Sequence, residues 1–75
     1  MSKVYRLSAF FVEGIKWELL AVSVTRSFKF DVWASPVGES YELEYRGRFE
    51  PTEDSVEGVC FEAEAFVKRS LTAHV

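Results

Sequence analysis

Residues 56–66 read VEGVCFEAEAF, and their near echo VEGIKWELLAV at 12–22 sets the question on which the fold turns: one motif used twice, or similar letters in two different structures. From the later copy onward, Val56, Val59, Cys60, Ala63, Phe66, Val67 and Leu71 recur at the three-and-four spacing of one helical face. The rival period is two, with Val59, Phe61, Ala63, Ala65 and Val67 on one side of a strand. Composition favours the helix, because Ala and Glu are good helix formers and a strand prefers β-branched residues. The preceding PTEDS supplies a start signal: Thr52 as N-cap, Glu53 and Asp54 against the dipole, and Pro51 and Val56 as staple. Lys68 and Arg69 suit the far end. The pattern predicts a helix over 53–70, about 27 Å long at 1.5 Å per residue. Two residues resist it. Gly58 costs about 1 kcal/mol inside a helix, and Phe61 would face away from the core.

The earlier copy reads as a hairpin, with Glu13-Gly14 as its tight connection. Pairing outward from the turn sets Val12 beside Ile15, Phe10 beside Trp17 and Ser8 beside Leu19 on one face. The other face then holds Leu7 by Leu20 and Tyr5 by Val22. Both faces are partly apolar, so one patch stays outside the main core unless a β-bulge, expected near Leu19-Leu20, reverses the alternation. The same letters thus serve two uses, and no repeat is implied.

Two further strands follow. Phe28, Phe30, Val32 and Ala34 alternate with the outward Lys29, Asp31 and Trp33. From Tyr41 to Glu50, Tyr41, Leu43, Tyr45, Gly47 and Phe49 form a buried side, while Glu42, Glu44, Arg46, Arg48 and Glu50 form a wet one. The tail from Leu71 to Val75 reads as a short strand or a frayed end. The expected architecture is α+β: one domain over 1–75, a four-stranded antiparallel meander with one C-terminal helix packed on one face. An all-β small sandwich or barrel is the alternative if 58–75 are strands.

Composition narrows the functions. Twelve acidic against nine basic residues give a net charge of -3, which disfavours dependence on nucleic-acid phosphates. The single cysteine excludes an internal disulfide and suits a reducing compartment; with one histidine it also falls short of a zinc site. Arg6 and Glu13 interrupt any apolar leader, and no run is long enough to span a membrane, so a cytoplasmic protein is expected. His74 is too near the end to act as base for Cys60 or a serine, and Cys60 falls on the apolar helix face as a packing residue. Isolated glycines form no phosphate loop, and the alternating acids read as wet faces. No catalytic residue, cofactor or metal is expected.

Three readings of function remain. The first is a non-enzymatic protein-binding module, an inhibitor or adaptor acting by surface occlusion. Between Glu50 and Glu64 lie six acids and no base, and Glu53, Glu57, Phe61, Glu64 and Lys68 form one ridge. Dipole complementation explains the acids at the helix start but not Phe61, whereas an aromatic ringed by carboxylates suits a basic protein surface. In general profile such a small, acidic, site-free chain resembles the host-takeover and anti-defence proteins that phages encode, anti-CRISPR inhibitors among them. That likeness implies a target that handles nucleic acid, in a host cytoplasm. The second reading is a single-stranded nucleic-acid binder using Trp33 for stacking and Lys29, Arg46 and Arg48 for phosphates; Asp31 and the glutamates on the same face oppose it. The third is self-assembly, most simply a homodimer, through Phe10, Val12, Ile15 and Trp17 or through Leu7, Leu20 and Val22.

Overall fold

The computed structural model describes residues 3–38 and 43–72. Four strands, β1 (Val4–Val12), β2 (Ile15–Ser23), β3 (Phe30–Pro36) and β4 (Glu44–Phe49), form one antiparallel sheet in the order β1-β2-β3-β4. The one helix among the described residues, α1 (Val56–Thr72), packs across one face. The architecture is the α+β meander expected from the sequence, and the strand reading of residues 58–67 is overturned. Val59, Ala63 and Val67, four apart, are buried against Leu19, Ala21, Val32 and Ala34 of the sheet. Small residues on the helix let it lie close. No helix among the described residues is long and apolar enough to cross a membrane.

The β1–β2 turn is the one expected, with Glu13 at φ 51° and Gly14 at φ 80°, the pair of positive angles that suits a two-residue hairpin. Val12 faces Ile15 and Phe10 faces Trp17, but Leu7 then faces Leu19, so Ser8 and Ala9 together oppose Glu18. The bulge lies on β1, not at Leu19-Leu20. It also does what such an insertion must: it reverses the alternation and brings Tyr5 and Leu7 to the same side as Phe10 and Trp17. Tyr5 stacks on Phe30 at 5.7 Å, with Ala21 rather than Val22 as its cross-strand partner.

A second bulge lies on β4. Val32 faces Gly47 and Trp33 faces Tyr45, leaving Arg46 as the extra residue. The expected division of this strand is therefore corrected: Tyr45 stands on the face away from the helix, and Arg46 turns toward the core. The Arg46 guanidinium sits 5.2 Å above the Trp17 ring, and its Nε donates to the Ala34 carbonyl at 3.1 Å. Phe49 keeps its inward place, stacked on Phe66 at 5.8 Å. Phe28 does not join β3; it stands 84% exposed in the β2–β3 connection, where Arg26 has φ 60°. Residues 41 and 42 of the expected strand, and residues 73–75 of the tail with His74, lie outside the described residues.

The helix begins later than 53. Ser55 caps it, its Oγ accepting from the Gly58 amide at 3.0 Å and its carbonyl from Val59 at 2.9 Å. Thr52, the expected cap, is used elsewhere: its amide and hydroxyl donate to Glu62 Oε2 at 2.9 and 3.1 Å. This folds residues 51–54 back onto the helix. A Cβ at Gly58 would lie 2.9 Å from Glu53 Cβ and from Ser55 Oγ, so the glycine that argued against a helix is what lets this segment approach. The helix then runs through Thr72, whose hydroxyl donates to the Lys68 carbonyl, so no strand starts at Leu71.

Candidate functional site

The outer side of α1 presents Glu57, Phe61, Glu64 and Lys68 in one stripe, as the spacing requires. Phe61 is 74% exposed. Lys68 Nζ donates to Glu64 Oε2 at 2.6 Å, an i,i+4 pair that neutralises the far half of the stripe. Glu53 is not part of the helix; it sits in the folded-back segment beside Gly58, one turn beyond Glu57. Asp54 next to it is matched by Lys3 at 3.2 Å. The surplus of negative charge thus gathers at the N-terminal half of the ridge, around Glu50, Glu53 and Glu57, with Phe61 bordering it. That is also the helix end whose dipole favours carboxylates, so these acids are held at little cost. Exposed Phe28 lies at the same end of the molecule, lining with Arg26, Glu50 and Glu53 an open cleft of about 820 Å³.

Among the described residues no element covers the face of the sheet opposite α1. Its side chains fall in rows across the strands: Val4, Val22, Asp31 and Arg48 in one, Arg6, Leu20, Trp33 and Tyr45 in the next. Asp31 is the centre of its polar part, accepting from Arg48 Nε at 2.8 Å and from the Tyr45 hydroxyl at 2.9 Å. The Arg48 hydrogen bond is the main cause that holds the Asp31 carboxyl below its ordinary value, and Asp31 in turn raises Tyr45. The cluster is therefore a carboxylate, a guanidinium and a protonated phenol in fixed contact. It stores no mobile proton near neutrality.

Of the four residues expected to grip single-stranded nucleic acid, only Trp33 and Arg48 share this face. The β4 bulge removes Arg46, Lys29 stands in the β2–β3 connection, and Asp31 occupies the guanidinium of Arg48. The first set expected to self-associate is also divided, because its face of the hairpin is the one that α1 covers. Phe10 and Trp17 are buried, Val12 packs against them, and Ile15 alone is well exposed. Of the second set, Leu7 packs against the core while Leu20 and Val22 remain on the open face. Val4 and Tyr45 belong with them, and neither was expected there. The isolated Gly47 within a regular alternation was the signal for the shift that moves Tyr45, because such a glycine marks a bulge or a close approach. No corresponding mark exists at Ser8-Ala9.

Cys60 is half-buried on α1, and burial pushes its thiol up, away from the reactive thiolate. Among the described residues no group of three His, Cys, Asp or Glu could hold a metal ion. No protein-family model, curated protein or solved structure matches the chain.

Proposed function

We propose that the protein works by binding another protein through the outer ridge of α1, with Phe61 as anchor and Glu53 and Glu57 as the steering charges, and that it acts as an inhibitor or adaptor by covering a basic surface. The observation that carries this reading is the 74% exposed Phe61 in the middle of a helix whose neighbouring charges are acidic. A large aromatic gains most when a partner desolvates it, and complementary charge raises the rate of encounter. A groove that normally takes nucleic acid has the required basic character, and covering it needs no catalysis. The single cysteine, which can form no disulfide within the chain, fits a reducing setting such as the cytoplasm.

The test is comparative capture from extract of the source cells. Immobilised wild-type protein retains a partner in low salt that is lost from the Phe61→Ala variant and from the doubly reversed Glu53→Lys, Glu57→Lys variant. Identical sets of captured proteins for all three baits contradict the reading.

A further inference from the structure

The sheet face opposite α1 has a different character from the ridge. Leu20, Val22 and Trp33, with Arg6, Glu18 and Leu43, line a groove of about 540 Å³. Val4 and Tyr45 extend the apolar surface to the two edges, 56% and 54% exposed. Four observations say what would cover it. The face carries Arg6, Lys16 and Arg48 against Glu18 and Asp31, so it holds no surplus of negative charge in a chain whose net charge is -3. A second copy is therefore repelled by the helix side and not by this one. Asp31, the carboxylate at the centre of the polar part of this face, is already satisfied by Arg48 and Tyr45, so burying that cluster strands no charge. Both edge strands carry a bulge, which disfavours strand-to-strand addition and leaves the face as the route to association. Finally, strands about 4.8 Å apart and about 25 Å long give a footprint of roughly 500 Å² per copy, at the lower limit of a specific interface.

We propose that this face binds the same face of a second copy, forming a reversible dimer of two sheets packed about 10 Å apart with the helices outward. A two-fold axis along the strands, between β2 and β3, exchanges β2 with β3 and β1 with β4. By register it sets Leu20 against the partner's Trp33 and Arg6 against the partner's Tyr45. The small footprint makes the association concentration-dependent. It leaves both Phe61 ridges exposed, so it is independent of the partner binding proposed above.

Sedimentation velocity on the full chain from about 1 µM to about 500 µM tests it. The mass is expected to rise from 8.6 kDa to twice that value. Leu20→Glu and Val22→Lys, on a half-exposed face, keep the wild-type circular dichroism and raise the dissociation constant at least about 30-fold, the effect of losing a central contact. Phe61→Ala leaves it unchanged. A mass of 8.6 kDa at every concentration overturns the proposal, as does a dimer that Phe61→Ala dissolves and Leu20→Glu spares.

Discussion

Gly47 shows how much one residue can settle. Its φ of 139° is a conformation that side chains rarely adopt, and a Cβ there would lie 2.8 Å from Phe66 Cζ. Gly47→Ala should therefore cost about 2 kcal/mol in urea unfolding, through backbone strain and overpacking together. Adding Phe66→Leu removes the clash, so the pair should lose less than the sum of the single losses; strict additivity would show that the ring is not what the glycine accommodates. Asp31 gives a second residue-level test. Its folded pKa lies below the ordinary 3.8, so its contribution is present above that value and is lost as the pH falls through the lower folded value. Melting temperatures followed from pH 7 down past 3.8 should fall more steeply for wild type than for Asp31→Asn. Parallel curves would mean that the Arg48 contact does not bias ionisation.

At the scale of elements, the helix start separates two readings of one segment. Ser55→Ala should lose about 1 kcal/mol as an N-cap, while Thr52→Val loses less because its hydroxyl donates outside the capping position. Gly58→Ala, which in an open helix gains about 1 kcal/mol, should instead destabilise, since the folded-back segment occupies the space. A stabilised Gly58→Ala protein would contradict the close approach of Glu53. Strand order, the turn at Glu13-Gly14 and the helix face of Val59, Ala63 and Val67 were all legible, because each rests on periodicity or turn chemistry within a few residues. The bulges were harder to read. A one-residue insertion moves half a strand's side chains to the other face: Gly47 marked the shift that moves Tyr45 and Arg46, whereas Leu7 could be placed only by its cross-strand partner. Thr52 alone was expected as the cap; Glu62 takes its amide and hydroxyl, and Ser55, which the sequence reading did not single out, caps the helix instead.

Seen as a whole, the molecule separates its surfaces by charge: an acidic end around Glu50, Glu53 and Glu57, bordered by exposed aromatics, and a near-neutral open sheet on the far side. Phe61 was legible as an outward residue because helical spacing alone places it. The open sheet was legible in part: Leu20, Val22 and Trp33 were expected outside the core, whereas Leu7 and Tyr45 change sides with the two bulges. The division makes Phe61 a residue with little to do for folding. Phe61→Ala should change stability by no more than about 0.5 kcal/mol, as expected for a surface substitution, while removing the anchor for a partner. The most direct test uses a partner isolated by capture and follows its binding kinetics at several salt concentrations. Phe61→Ala is expected to speed dissociation with association nearly unchanged, and Glu53→Lys with Glu57→Lys to slow association in low salt, the difference shrinking as salt rises. Kinetics indistinguishable from wild type for both variants would contradict it.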